Sequence, residues 1–597
     1  MTPSDHAVEF TRELIASTSA DPHALLQHLI SIQHTFSCIP ESAAALLAEQ
    51  LALPRATVNG TIDFYSFLHA TPRGEFDILF SDNITDRMAG SQLLVKQLCD
   101  RFGVTPGGTS ADGRLSVDTT SCTGMCDQGP GMLINGIAVT RLDEQRIDQI
   151  AELVEQNLPL MDWPVDFFSV SDNVHRKDLL LDTDLPKGHA LKSLLASDPA
   201  QILASIESSG LRGRGGAGFK TALKWRLCAE AQADERYVVC NADEGEPGTF
   251  KDRVLLQSWA DELLEGMTVC AGTIGARRGL IYLRGEYRYL LDHLNTVIQQ
   301  RRDDSLLGEA ILGKPGFSFD VEIHLGAGAY ICGEESSLIE SLEGRRGIPR
   351  KRPPFPVTEG YLGKPTVVNN VETFIAAAQI ALQGSDWYRS RGTAESSGTK
   401  LLSISGDCRR PGIYEYPFGV TVDTVLQDCG AEHAQAVQVA GAAGRMIPAS
   451  QFNRTISHED IATGGSFMIF NDTRDMLAVA QNFNRFFIHE SCGFCTPCRV
   501  GNTLLGKLVD KLLRGRASRY DIEEMRSIAE LMRATSFCGL GTTAPNPILD
   551  MLDNFPRTYE PRLDEEFEPA FDLDAALKEA REIGGLHDHR TPAEEPS

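Results

Sequence analysis

Five glycines fall within the nine residues from Gly210 to Gly218 (GLRGRGGAG), a density that breaks regular helix or strand and leaves backbone amides uncovered. A loop of this kind can close on a phosphate, because no side chain stands in the way. Lys224 follows on a predicted helix, a point charge for a phosphate or an electron-rich ring. A short apolar strand, Tyr237 to Cys240, then ends in Asn241, Asp243, Glu244 and Glu246, within the run NADEGEPGTFKDR. Ligands of open α/β sheets bind at such strand ends. Gly213, Gly215 and Gly218 satisfy G-x-G-x-x-G, but a helix predicted over Pro199 to Ser208 precedes them where a dinucleotide fingerprint has a strand. Taken alone, the glycines leave a nucleotide loop and a helix-capping surface turn both open.

A second glycine-rich turn follows the predicted strand DVEIHL, with Gly326 and Gly328 leading through Cys332 and Gly333 to Glu334 and Glu335 ahead of another helix. Such a turn again suits a nucleotide. Acidic side chains there take ribose hydroxyls and repel a 2′-phosphate, which favours NAD over NADP; they are equally the residues that a helix dipole stabilises in a first turn. Cys492, Cys495 and Cys498 stand at C-x2-C-x2-C spacing in SCGFCTPCRVG, and Cys538 follows in SFCGLG. Four thiolates with one remote ligand suit a [4Fe-4S] cluster. The alternative is structural zinc, whose sites usually pair two C-x2-4-C knuckles, and an iron and sulfide assay separates the two. Met476, Val479, Ala480, Phe483, Phe486 and Phe487 fall at helical spacing just before the cysteines and are expected in a core. Nucleotide loops together with a cluster point to hydride transfer from a nicotinamide to a flavin, which releases electrons singly to iron. No Ser-His-Asp or paired-carboxylate constellation suggests hydrolysis.

At 597 residues the chain exceeds a single core, and three or four domains are expected. Its net charge of -26 argues against a nucleic-acid partner. The start of the chain lacks an apolar h-region and no run of 18 apolar residues occurs, so neither a secretory signal nor a membrane span is expected. Fourteen cysteines in such a chain fit reduced thiols and metal ligands, and the expected location is the cytoplasm.

The expected fold is multidomain α/β. Residues 1–70 read as a helical bundle and 71–160 as a thioredoxin-like domain, with FDILFS and RLSVDT as strands and GMLINGIAVTRL as two strands around Asn135-Gly136. Residues 161–190 read as a wrapping linker, and 191–365 as a Rossmann-like nucleotide-binding α/β domain with strands RYVVCN, GLIYLR and DVEIHL. A β-grasp-like module with its lead-in over 366–470 precedes a helical bundle over 471–558 that carries the cluster cysteines. An acidic tail over 559–597 is expected to be extended or disordered at its end.

These motifs carry a resemblance. GLRGRGGAGFKTALKW, NADEGEPGTFKDR, GAGAYICGEES, PPFP from Pro353, VNNVET from Val368 and the cysteine segments resemble the flavin-bearing NADH dehydrogenase subunit of respiratory complex I. The first 160 residues resemble that complex's small thioredoxin-like [2Fe-2S] subunit. The fusion is similar to the diaphorase subunit of NAD-reducing soluble nickel-iron hydrogenases. The resemblance implies FMN held by Gly213, Arg214, Gly215, Gly216, Lys224, Asn241, Asp243 and Glu244, with Gly333, Glu334, Asn369 and Asn370 closing the site. It implies Phe219 stacked on NAD(H), with Glu246, Glu335 and Phe355 completing the pocket, Glu335 excluding NADP(H), and no side chain acting as general acid or base. Cys492, Cys495, Cys498 and Cys538 would hold the [4Fe-4S] cluster. Implied partners are a small iron-sulfur diaphorase subunit and hydrogenase small and large subunits; a complex-I-like enzyme or an NAD-dependent formate dehydrogenase is the alternative setting.

Three positions depart from the family pattern. The first cysteine pair of the small subunit is Ser81 and Asp86 here, leaving Cys122 and Cys126, so no [2Fe-2S] cluster is expected in the N-terminal domain unless Ser81 or Asp86 serves as a ligand. Arg352 stands where relatives often have lysine, which alters the hydrogen-bond geometry of a nucleotide contact. An aromatic that often follows KW is replaced, with Leu227 after Arg226, and one ring contact to the nucleotide is expected to be missing.

Overall fold

The computed structural model describes residues 3–18, 20–564 and 573–585. Four helices open the chain, Pro3–Ser17, Leu25–Phe36, Glu41–Gln50 and Arg55–Phe64. A five-stranded sheet follows, from β1 (Phe76–Ser81), β2 (Gly108–Thr109), β3 (Leu115–Thr120), β4 (Met132–Ile134) and β5 (Ile137–Val139), in the order β2-β3-β1-β4-β5. The parallel β1/β3 pair needs a crossover, and the helix Ser91–Phe102 supplies it. Asn135 and Gly136, with φ of 50° and 81°, make the tight turn between β4 and β5; both backbones are left-handed, which is why this dipeptide marks a hairpin.

The stretch read as a linker contributes β6 (Val174–Arg176) to a later sheet. The central sheet is wholly parallel: β7 (Tyr237–Ala242), β8 (Arg278–Leu283), β9 (Asp320–Leu325) and β10 (Thr366–Asn370), ordered β10-β7-β8-β9. The chain steps outward from β7 to β9 and returns on the other side of β7. Strand order therefore reverses between β7 and β10, the place where open α/β sheets form a crevice. Asn241 and Asn370 are register partners there.

Alternation along β7 and β8 sorts the two faces. Val238, Cys240, Ile281 and Leu283 bury into the core built with helices Ala260–Ile274 and Val371–Gln383. Tyr237, Val239, Leu280 and Tyr282 point the other way, into a core shared with Leu29 and Leu47 of the opening helices and Phe483 and Phe487 of the C-terminal ones. The N-terminal bundle is thus a layer of the central α/β domain, fastened by Gln27, whose Nε2 donates to the Leu325 carbonyl at 2.9 Å.

Helices Lys251–Ser258 and Ala260–Ile274 are separated at Trp259, which leaves helical geometry at φ -130°, ψ 30°. The lead-in grouped with the β-grasp-like module belongs to the central layer. Its strand β10 pairs β7 from more than a hundred residues away, a pairing with no local signal. The later sheet takes β11 (Thr399–Gly406), β12 (Gly412–Pro417), β13 (Ala434–Val439), β14 (Arg445–Pro448) and β15 (Ser466–Asn471), in the order β14-β13-β15-β11-β12-β6. Helices Met476–Glu490, Thr496–Leu513, Arg519–Thr535 and Asn546–Asn554 complete the fold. Leu573–Ile583 of the acidic tail is helical; residues 565–572 and 586–597, where its extended end is expected, lie outside the described residues. Among the described residues no helix is long and apolar enough to cross a membrane.

Candidate functional site

At the carboxyl ends of β7 and β10 lies a cleft of about 450 Å³. Gly215 and Gly216 form one wall, Asn241, Asp243, Glu244 and Glu246 another, and Gly333, Glu334 and Asn370 close it. The Gly213 N–H donates to the Phe219 carbonyl at 2.9 Å, folding the glycine-rich stretch back on itself. Gly216 sits at φ 120°, a conformation that side chains disfavour, so its backbone stays bare toward the cleft. Asn241 Nδ2 donates to the Gly333 carbonyl at 2.7 Å and ties the first strand end to the second glycine turn.

The three acids meet different surroundings. Glu244 accepts the Asp252 and Arg253 amides at 2.8 and 3.1 Å, yet burial, reinforced by Asp252, pushes its carboxyl up to about 7. Burial likewise pushes Glu246 to about 7, against hydrogen bonds from Tyr330 Oη at 2.5 Å and the Ala443 amide at 3.1 Å. Asp243 is raised well above the carboxylate range by burial, and its Oδ2 has no protein partner. An orphaned buried acceptor beside bare backbone amides is the complement of a phosphorylated ligand with donor hydroxyls and ring N–H groups, and FMN has both.

Four expected residues, Lys224, Phe219, Glu335 and Arg352, are linked to one another and to Glu334 in the cleft wall. Lys224 Nζ lies 2.8 Å from Glu335 Oε2 and 5.9 Å above the Phe219 ring. Arg352 Nη1 reaches Glu334 and Glu335 at 3.4 and 3.5 Å. Phe219 and Phe355 are about half exposed, as a stacking surface requires. Leu227 is 39% exposed. Two expected side chains are engaged elsewhere. The Arg214 guanidinium turns away to the Tyr388 hydroxyl, the Ser397 carbonyl and the Phe418 ring, and its amide donates to Thr373 Oγ1. Asn369 accepts from Trp225 Nε1 at 2.9 Å.

Sequence reasoning missed a buried charge cluster behind Asn370. Glu372 lies 3.1 Å from Lys251 Nζ and 2.5 Å from Lys400 Nζ, all three nearly inaccessible. Burial works against both ammonium groups; Asp252 and Glu372 nevertheless hold Lys251 above its ordinary value, whereas Lys400 is pushed down to about 7. Lys251 and Glu372 lie inside the motifs NADEGEPGTFKDR and VNNVET, but Lys400 arrives on β11 with no local pattern to announce it.

The four cysteines stand around one small cavity, lined also by Phe494, Phe537, Ile331 and Leu540. Cys495 and Cys538 are the residues preceding helices Thr496–Leu513 and Gly539–Thr543. Cys498 Sγ lies 3.2 Å from Ser491 Oγ and 3.4 Å from Asn502 Nδ2, and burial pushes its thiol up to about 11. Burial also raises Cys492 and Cys538. Among the described residues no three His, Cys, Asp or Glu side chains converge tightly enough to hold a single ion. An all-sulfur donor set spread around a shared cavity fits an iron-sulfur cluster. Ile331 and Leu540 line both this cavity and the cleft, so the two sites share a wall of side chains.

In the N-terminal domain Ser81 Oγ donates to Asp86 Oδ2 at 2.7 Å, and Asp86 Oδ1 accepts the Gly131 amide at 2.9 Å. Cys122 and Cys126 sulfurs are 3.5 Å apart, and Asn83 Nδ2 donates to Cys126 at 3.1 Å. Burial pushes Asp86 up to about 7. A folded value above the unfolded one means the unfolded chain gives up this proton first; the destabilisation grows from about pH 4 to 7 and is complete above, to a ceiling of about 4 kcal/mol. Asparagine can accept from Gly131 and donate to Ser81 without charge. Asp86→Asn is therefore expected to raise the thermal midpoint at pH 8 and to lose most of that gain at pH 5. A variant less stable than the parent at pH 8 contradicts this account.

Three family models match the chain: a thioredoxin-like [2Fe-2S] ferredoxin over residues 11–155, the Nuo51 FMN-binding domain over 206–379, and the NADH-ubiquinone oxidoreductase-F iron-sulfur binding region over 478–562. The alpha subunit of the NAD-reducing hydrogenase HoxS of Cupriavidus necator is 44% identical over 576 residues, covering 94% of this chain and 95% of that protein. The chain belongs to this family. A solved structure of an NAD+-reducing [NiFe]-hydrogenase in the H2-reduced state contains a chain that superposes on this one with a TM-score of 0.88 at 43% identity, covering 97% of this family member and 99% of that chain. An NADH-quinone oxidoreductase subunit of Escherichia coli is 38% identical, covering 63% of this family member and 88% of itself. The family of hydrogenase alpha subunits thus unites an FMN-binding fold and an iron-sulfur region in one polypeptide. One family model names a [2Fe-2S] domain at the N-terminus, where two of the four expected thiol positions are Ser81 and Asp86.

Proposed function

We propose that this chain is the NAD(H)-reactive diaphorase subunit of a soluble NAD-reducing hydrogenase, passing electrons reversibly between H2 oxidation and NAD+. The match to a hydrogenase alpha subunit along nearly the whole of both chains carries this reading, since the quinone-oxidoreductase relative covers only 63%. FMN, when bound, exchanges one hydride for two single electrons. Gly215, Gly216 and the neighbouring amides cradle its phosphate, while Asn241, Asp243, Glu244, Gly333 and Asn370 fix its polar edges. Gly213, Arg214 and Asn369 shape the cradle from behind. Phe219 and Phe355 would offer rings to the dinucleotide, with Glu246, Glu335 and Arg352 around them, while Lys224 and Glu334 would complete the FMN site. No side chain of the cleft would need to act as acid or base in this reading; the residues would supply orientation and field. Cys492, Cys495, Cys498 and Cys538 bind a [4Fe-4S] cluster behind the Ile331 and Leu540 wall.

The N-terminal domain in this reading binds no [2Fe-2S] cluster and serves as a docking platform. The mutual hydrogen bond of Ser81 and Asp86 supports that. The partners are a small iron-sulfur diaphorase subunit and hydrogenase small and large subunits, in the cytoplasm and with no nucleic acid. Purifying the native complex, weighing its subunits and recording its EPR spectrum after NADH reduction tests the whole reading. The expected result is a hydrogenase large subunit in the complex. For the isolated chain, about four irons and four sulfides per FMN are expected. Quinone-reductase or formate dehydrogenase subunits in its place overturn the hydrogenase assignment, and about six irons per flavin overturn the empty N-terminal domain.

A further inference from the structure

The loop carrying Cys122 and Cys126 lies between β3 and β4 and is pressed against helix Lys251–Ser258 and the segment that follows β8. Its Asp127 carboxylate pairs with Arg253 at 3.0 Å, and both side chains are wholly inaccessible. The Cys122 carbonyl accepts Arg284 Nη2 at 2.6 Å. Gly124 lies against Tyr287 so closely that a Cβ there would stand 2.3 Å from the tyrosine oxygen, and its φ is 75°. Each of these three partners also holds Glu244. The Arg253 amide donates to Oε2 at 3.1 Å, Tyr287 Oη donates to Oε2 at 2.9 Å, and Arg284 Nη1 donates to the Glu244 carbonyl at 2.5 Å. Glu244 in turn lines the cleft.

We propose that this loop is a brace for the flavin cleft: Asp127, the Cys122 carbonyl and Gly124 position Glu244 through Arg253, Arg284 and Tyr287. The loop touches those partners only through a carboxylate and its backbone, while Cys122 Sγ accepts the Gly124 amide within the loop at 3.4 Å. Every link is buried, so no water can replace a lost partner without opening the interface between the two domains. A buried guanidinium stripped of its carboxylate must move or recruit another acid, and Glu244 is the acid beside it. Asp127 is therefore a positioning residue for a site to which its own domain contributes no lining.

The inference rests on FMN occupying the cleft, and the two ideas fail separately. Dissociation of FMN from the full-length purified protein is followed by the recovery of free-flavin fluorescence, with cluster EPR as a check on the rest of the fold. Asp127→Asn is expected to speed release at least about tenfold, equivalent to about 1.4 kcal/mol, and to leave the cluster signal unchanged. Gly124→Ala is expected to do the same by displacing Tyr287, and it decides the matter if Asp127→Asn does not fold. Cys122→Ser with Cys126→Ser is expected to release FMN at the parent rate. Parent-like release by both Asp127→Asn and Gly124→Ala, or by Gly124→Ala alone where Asp127→Asn does not fold, overturns the brace. Faster release by the double serine variant also overturns it. A parent protein with no flavin at all overturns the cofactor assignment instead.

Discussion

Cys498→Ser is expected to strip the protein of its [4Fe-4S] cluster, seen as loss of the reduced-cluster EPR signal and of acid-labile sulfide. Cys498 is the most enclosed of the four thiols, 5% exposed, and it takes contacts from both Ser491 and Asn502. A serine oxygen is a harder, more basic donor and sits closer to its Cβ than sulfur does, so the fourth corner of the cage is left open. The glycine loop and strand-end acids of the cleft stand on other elements, although the two sites share Ile331 and Leu540, and NADH-dependent reduction of ferricyanide, which drains the flavin directly, is expected to stay within about threefold of the parent. Reduction of an iron-sulfur partner is expected to fall at least about 100-fold, or about 2.7 kcal/mol of barrier. The segments Ser491–Cys498 and Phe537–Leu540 meet around this cavity, so thermal stability should fall as well. Full iron content in the serine variant, or loss of both reactions together, contradicts separate flavin and cluster sites.

Glu335→Gln is expected to admit NADPH. Glu335 faces Lys224 at 2.8 Å and Arg352 at 3.5 Å, so one carboxylate engages two cations at the edge of the cleft. With it charged, a 2′-phosphate meets repulsion and finds both cations engaged; with it neutral, the cations are released toward the phosphate. A pair of unit charges at 4 Å interacts by about 4 kcal/mol at an effective dielectric of 20, and partial exposure of this rim lowers that. The expected gain in kcat/KM for NADPH is therefore about 10- to 100-fold, with NADH falling a few-fold through loss of a ribose contact. Adding Arg352→Ala should cancel much of the gain, since the released cation is then absent. Unchanged discrimination in Glu335→Gln places the selectivity elsewhere on the rim.

Much of the site was legible in the sequence because its chemistry is written in short runs. The glycines of 213–218, the polar end of β7 and the C-x2-C-x2-C spacing each act within a few residues, and backbone or metal geometry demands those residue types whatever lies around them. The central strands were legible for a similar reason, as apolar runs bounded by turns. β10 was not, because a two-valine strand becomes one only by pairing β7. The direction of Arg214 was equally invisible: a phosphate and a tyrosine hydroxyl both suit a guanidinium, and only the packing of Tyr388 and Phe418 against it settles the choice.

The amino-acid sequence by itself determined that this chain has backbone suited to a phosphate, acids at strand ends and four thiols for a cluster, since each follows from residue type at fixed spacing. Tertiary structure alone decided that Lys400 meets Glu372, that Ile331 and Leu540 stand between cleft and cysteines, and that Asp127 closes on Arg253. The physical reason is that burial makes such pairs strong. Whether two groups leave water together depends on the packing of elements far apart in the chain, which no local pattern encodes.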